Sequence, residues 1–242
     1  MSAPASITDT DFRTDFERFG ALASESGDAP RFDLDWDDRL PCLDDRTTGT
    51  GFDRHYVYHT AWAMRVLARS RPQSHVDIAS SLYFAALASA FVPVRYYEYR
   101  PVDLQLAGLT CDQADLLRLP FADRSIHSLS CMHVVEHVGL GRYGDPLDPG
   151  GDLRAMAELN RVLAPGGDLL FVVPVGKPRL QFNAHRIYAF GQVTGAFADL
   201  DLVEFALVPD RKNGPALIPS ATKQQADAQR YGCGCFWFRR PR

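Results

Sequence analysis

Between positions 75 and 240 the chain keeps switching between two rhythms, and that alternation limits its architecture more than any other feature. Short apolar runs, "HVDIA", "VRYYEY", "LTCDQAD", "IHSLSCM", "DLLFVVPV" and "LVEFALV", have the length and the β-branched or aromatic content of strands. Helical patterns separate them. Strands that alternate with helices predict a mostly parallel sheet covered on both faces, an α/β architecture. The last run, "GCGCFWFRR", reads as one more strand, inserted near the sheet edge.

Two helices are expected before the sheet begins. Residues 8–24 place Phe12, Phe16 and Phe19 at helical spacing behind Thr8 or Thr10 as cap, and residues 53–69 carry Tyr56, Trp62, Val66 and Leu67. Between them lies an acidic stretch punctuated by Pro and Gly, read as an ordered covering loop. The expected organisation is an extension and cap over residues 1–72 and a sheet domain over residues 73–242. Tyr56, Tyr58 and Trp62 are candidates for stacking on a sugar ring, although their helical spacing also suits packing.

A chain of 242 residues with 46% apolar side chains is long enough for one sizeable domain with elaborations. The formal charge of −4 argues against a general nucleic-acid binder, which needs a basic face to neutralise phosphates. The longest greasy stretch, residues 82–94, is too short to span a bilayer and contains Pro93. The first residues have no apolar core of a secretory signal, so a cytoplasmic location is expected. Five cysteines, an odd number, point to reduced thiols, with Cys233 and Cys235 read as small core residues. Oligomeric state leaves no trace in the sequence.

In sheets of this class ligands bind beyond the carboxyl ends of the strands, so the strand-end residues carry the functional information. The first strand ends at Asp77, followed by "IASS"; the second ends near Glu98; the third ends at Asp115. An acid roughly twenty residues after the first turn is what a ribose requires, since a carboxylate accepts hydrogen bonds from both vicinal hydroxyls. Three acids on successive strand ends make a plausible adenosine site.

The stretch from Val76 to Val175 resembles a class I S-adenosylmethionine-dependent methyltransferase, in the branch with "LPF", "HVLEH"-like and "LxPGG" motifs. The residues that carry the likeness are "LPFADRSIHSLSCMHVVEHV" followed by "ELNRVLAPGGDLLFVVP". "FDRHYVYHTAW", "YRPVDL", "GLGRYGDPLDPGG" and "FNAHRIY" look closer still to an uncharacterised subgroup, a domain of unknown function associated with bacterial glycan assembly. The resemblance implies a Rossmann-like, mostly parallel seven-stranded sheet and S-adenosyl-L-methionine as cofactor. It implies Asp77 near the methionine amino group, Glu98 on the ribose, and Asp115 with the Leu116 amide on the adenine. One departure stands out. The first turn of the superfamily carries glycines at the positions of Ala79, Ser81 and Tyr83, where backbone must approach the cofactor. Either Ser80 and Ser81 replace the amide contacts of a reshaped turn, or the cofactor no longer binds and the chain is a non-catalytic scaffold. A nicotinamide enzyme is disfavoured by the lack of G-x-G-x-x-G after a strand.

The segment "HVVEH", His133 to His137, also fits H-x-x-E-H, a zinc-protease pattern that needs both histidines on one face of a long helix. Gly139 and Gly141 interrupt any such helix, and no metal is expected. A hydroxyl acceptor would instead need a general base near neutrality, for which His133 and His185 are the candidates. Arg142, Tyr143 and Asp145 on the Gly-rich loop, with Asn183 and Arg186 beyond the fifth strand, are the candidate acceptor-binding residues. The expected acceptor is a polar small molecule, a sugar or a glycan precursor, methylated on oxygen.

Overall fold

The computed structural model describes residues 8–25, 29, 31–100, 102–211 and 214–242. It separates into two compact units that divide between Phe52 and Asp53. In the first, helix α1 (Asp9–Glu25) carries Phe12 and Phe16, whose rings meet Trp36 at 6.0 and 5.0 Å. Arg13 and Arg39 lie over that indole, a small cation–π cluster.

The second unit begins with α2 (Arg54–Ser70), capped by Asp53, whose carboxylate accepts from the Tyr56 amide. Strands β1 (His75–Ile78), β2 (Val94–Glu98), β3 (Leu109–Gln113), β4 (Ile126–Met132) and β5 (Leu163–Val175) follow, with α3 (Leu82–Ala88) after β1 and α4 (Gly151–Val162) before β5. A small hairpin, β6 (Arg179–Gln181) and β7 (His185–Ile187), stands apart from the sheet; α5 (Phe190–Ala196), β8 (Asp201–Val208), α6 (Lys223–Asp227) and β9 (Gly232–Arg239) complete the chain. The sheet has seven strands in the order β3-β2-β1-β4-β5-β9-β8, and only β9 runs antiparallel to its neighbours. The last strand therefore inserts between β5 and β8, one place in from the edge.

Two apolar layers flank the sheet, as burial on both faces demands. Val76, Leu129, Phe171 and Phe236 pack one face with Met156 and Leu159 of α4 and Val193 of α5. Val94, Val172, Cys233 and Cys235 pack the other with Trp62 and Val66 of α2 and Phe84 of α3. Helix α2 is thus a sheet-covering helix rather than part of an extension ending at residue 72. Trp62 Nε1 donates to Glu204 Oε1 of β8 at 2.7 Å, and Arg69 reaches the other carboxylate oxygen. The boundary moves from 72 to 52 because the apolar face of α2 finds its burial on the sheet.

Polar groups also cross the buried layer. His75 is wholly buried between Ser128 and Ser130, each 2.8 Å from one ring nitrogen, and burial pushes its pKa down to about 3, leaving it neutral.

Candidate functional site

The turn after β1 is tight without a glycine. Ala79 sits in the left-handed region at φ +53°, its amide donating to the Tyr97 carbonyl at 2.7 Å. Such a backbone costs an alanine about 1 kcal/mol or more, so the surroundings must hold it. Asp77 accepts from the Ser80 amide at 3.0 Å and from the Ser130 hydroxyl, while Ser80 Oγ accepts from the Met132 amide at 3.0 Å. Tyr96 closes the turn from β2 by donating to the Ser80 carbonyl at 3.2 Å. Side chains of β1, β2 and β4 thereby impose a shape that glycine permits by itself.

Beyond the strand ends lies a cavity of about 370 Å³. Its walls include Ala79, Glu98, Asp115, Leu116 and His133, supplied by four successive strand ends. Asp115 Oδ1 accepts from the Leu117 amide at 2.8 Å, which fixes its carboxylate at the head of the turn. Tyr143 also lines it, with Arg100 and Arg142 over its ring at 4.8 and 5.1 Å. Tyr83, the bulkiest replacement for a glycine, is 84% exposed on α3 and lies off the cavity wall.

A second cavity, of about 580 Å³, adjoins the first through His133 and Tyr143. It is polar and aromatic, with Tyr56, Glu136, Asn183, His185 and Tyr231 on its walls. The pentapeptide of residues 133–137 shapes it without forming an α-helix. His133 turns out of β4 at φ +58°, and only residues 135–137 make a single 3-10 turn. His133 Nδ1 donates to Glu136 Oε1 at 2.8 Å, whereas His137 Nδ1 donates to the Ala184 carbonyl at 2.6 Å. The two histidines hydrogen-bond to different partners, although His137 Nε2 also stands 3.9 Å from Glu136 Oε1. Burial pushes His133 down to about 4 and Glu136 up to about 7. Burial also lowers His185, with the Glu136 charge opposing; its Nε2 donates to Gln181 Oε1 at 2.9 Å, leaving Nδ1 as the basic nitrogen. Gly139, at φ +78°, lets the loop close, because a Cβ there would stand 2.1 Å from the Asp148 carbonyl oxygen.

Comparison with known proteins places this architecture. A family model described as "Caenorhabditis protein of unknown function, DUF268" matches residues 122–229. Curated protein sequences contain no match. Among solved structures, the 1,6-didemethyltoxoflavin-N1-methyltransferase of Burkholderia thailandensis, bound to its substrate and S-adenosylhomocysteine, superposes at TM-score 0.53 and 12% identity, covering 100% of this chain and 94% of that one. The N-methyltransferase NodS of Bradyrhizobium japonicum, with S-adenosylhomocysteine, superposes at 0.52 and 14% identity over 83% and 94%. The chain has the Rossmann-like methyltransferase fold. That fold also carries other chemistry: the [4+2]-cyclase SpnF superposes at 0.50 and 13% identity over 75% and 81%.

On the methyltransferase fold the expected site residues part into groups. Ala79, Glu98, Asp115, Leu116 and His133 line the first cavity, with Tyr143 and Asp145 at its rim. Arg142, Tyr143, Asn183, His133 and His185 line the second. Asp77, Ser80 and Ser81 lie on neither wall, and Asp77 is 0% exposed with its oxygens turned to Ser80 and Ser130. The Asp145 carboxylate is engaged in closing its own loop, accepting from the Gly139 and Tyr143 amides at 2.7 and 3.2 Å. Arg186 also faces inward, bonding the Val138 carbonyl at 2.7 Å and pairing with Asp152 at 3.5 Å. It ties the loop to α4 instead of meeting an acceptor. Glu136, His55 and Tyr231 also line the second cavity, and none of them was among the site residues expected from the sequence. Glu136 was legible inside the pentapeptide; His55 and Tyr231 reach the cavity only through the packing of α2 and the approach to β9.

Proposed function

We propose that the chain is an S-adenosyl-L-methionine-dependent methyltransferase acting on a polar small molecule, a sugar or a glycan precursor, at a hydroxyl oxygen. The observation that carries this is the convergence of Glu98 and Asp115, from neighbouring strand ends, with the left-handed Ala79 backbone on one cavity. The residues fit the adenosine half of the cofactor: Glu98 for two ribose hydroxyls, Asp115 and the adjoining backbone for the adenine edge, Leu116 as an apolar wall. The cofactor, when bound, supplies a methyl group already activated on a sulfonium.

The protein's own task is then alignment, exclusion of water and removal of one proton. The second cavity suits an acceptor with several hydroxyls, because Asn183 and Arg142 offer donors and Tyr56 and Tyr231 offer ring faces. His185 Nδ1 is the base we assign to the acceptor hydroxyl. His133, held down at about 4 by burial, is the weaker of the two bases. Tyr143, between the two arginines, stands where a lid over the reacting groups belongs.

A second reading is a non-catalytic relative, and one observation favours it. Asp77, which the resemblance puts near the methionine amino group, is sealed into the core, so the first turn offers no carboxylate to that end of the cofactor. Calorimetry with S-adenosylhomocysteine and sinefungin separates the readings. Micromolar binding that weakens tenfold or more in both Glu98→Ala and Asp115→Asn supports the enzyme; no heat and no thermal shift at millimolar ligand leaves the scaffold.

A further inference from the structure

Three imidazoles and a thiol meet beside the second cavity, in a cluster that does not include the base assigned to methyl transfer, His185. His55 and His59 come from α2, His133 from the turn after β4, and Cys233 from the inserted strand β9. One ligand atom each from His55, His133 and Cys233 lies within 4.8 Å of the other two. Cys233 is wholly buried, and the His133 side chain is only 5% exposed. The His59 ring stands 5.1 Å from that of His133, centroid to centroid.

Two of the rings already have one nitrogen assigned. His133 Nδ1 donates to Glu136 Oε1 at 2.8 Å, and His59 Nδ1 donates to the His55 carbonyl at 2.6 Å; the His55 ring stacks on that of Tyr231 at 4.9 Å. A neutral imidazole whose N–H is so engaged carries its lone pair on the other nitrogen. For His133 and His59 that nitrogen, Nε2, is buried and has no partner among the described residues. Aromatic packing accounts for stacked rings. It does not account for two buried lone pairs left bare, since leaving a buried acceptor unsatisfied costs about 1–3 kcal/mol. Imidazoles oriented from behind by a carboxylate or a carbonyl, with the free nitrogen turned inward, are how proteins present metal ligands.

We propose that His55, His133 and Cys233 bind one d-block cation of the zinc class. Two borderline nitrogens and a soft sulfur select against magnesium and calcium, which take oxygen ligands. Tetrahedral zinc sets its ligand atoms roughly 3.4–3.7 Å apart, so from separations within 4.8 Å the shell draws in by at most about an ångström on loading. Binding displaces the thiol proton to solvent. The resulting thiolate and the carboxylate of Glu136 balance the two positive charges. The pentapeptide that suggested zinc by its spacing thus contributes one ligand, His133, and one carboxylate behind it. His137 is not among the residues whose ligand atoms converge, and its Nε2 stands 3.9 Å from Glu136 Oε1. This departs from the expectation of a metal-free protein. The site shares His133 with the walls of both cavities and leaves His185 free as the base.

The test is elemental analysis of the full chain, stripped with chelator and reloaded with zinc or cobalt(II). We expect one metal per chain and, with cobalt, a near-ultraviolet thiolate-to-metal charge-transfer band. Cys233→Ser should abolish the band and His133→Gln should cut metal occupancy at least tenfold, while His185→Gln keeps both. Less than about a tenth of an equivalent in the unaltered protein, or equal loading of Cys233→Ser and the parent, overturns the assignment. The cobalt spectrum of the unaltered protein decides the matter even if a variant fails to fold.

Discussion

Replacing Asp77 by Asn should change how stability depends on pH, and the size of the change follows from its surroundings. The carboxyl is wholly buried; desolvation raises its pKa to about 6, against the pull of hydrogen bonds from Ser130 and Ser80. In the unfolded chain an aspartate titrates near 3.9. A group whose folded pKa lies above its unfolded one favours folding fully below the unfolded value and loses that contribution as pH rises through the folded one. The interval of roughly two units corresponds to about 3 kcal/mol, lost between about pH 4 and 6. Asn cannot ionise, and its amide can keep the bond from Ser80 while donating to Ser130, whose hydroxyl then turns towards His75. Urea unfolding of both proteins across pH 4 to 7.5 isolates this one group, because the other titrations cancel in the difference. The unaltered protein should lose about 3 kcal/mol relative to Asp77→Asn over that range. Parallel stability curves would show that Asp77 is not the buried, reluctantly charged group described here.

Other consequences are simpler to check. Tyr83→Ala should leave affinity for S-adenosylhomocysteine within about twofold, since the ring lies off both cavities; a larger loss would mean that α3 reaches the cofactor. Gly139→Ala should destabilise the protein by about 2 kcal/mol or more in thermal unfolding, because its Cβ would collide with the Asp148 carbonyl at positive φ. Trp62→Ala removes a buried indole and its bond to Glu204, a loss of about 3–5 kcal/mol by urea titration. A small effect there would contradict α2 as part of the sheet domain.

Much of the site was legible because its pieces are local. Glu98 and Asp115 end strands whose apolar patterns announce themselves, and parallel topology delivers every such end to the same rim. The pentapeptide shows where local pattern stops. Its spacing places two histidines together only on an α-helix; the left-handed His133 and a single 3-10 turn separate them. Asp77 fails for another reason: a carboxylate at a strand end turns outward or inward according to what the neighbouring strand offers. Ser130 of β4 offers it a hydroxyl.

The sequence by itself determined the layered architecture, the insertion of the last strand and the acids at the cavity rim, because periodicity and strand order dictate which backbone ends meet. Only the tertiary structure decided that α2 belongs to the sheet and that His55 and His59 meet His133 and Cys233. The two histidines of α2 are one helical turn apart, but no local propensity links them to a strand end and a strand far along the chain. They meet because α2 buries its apolar face against β8 and β9, which brings its histidines to the end of β4.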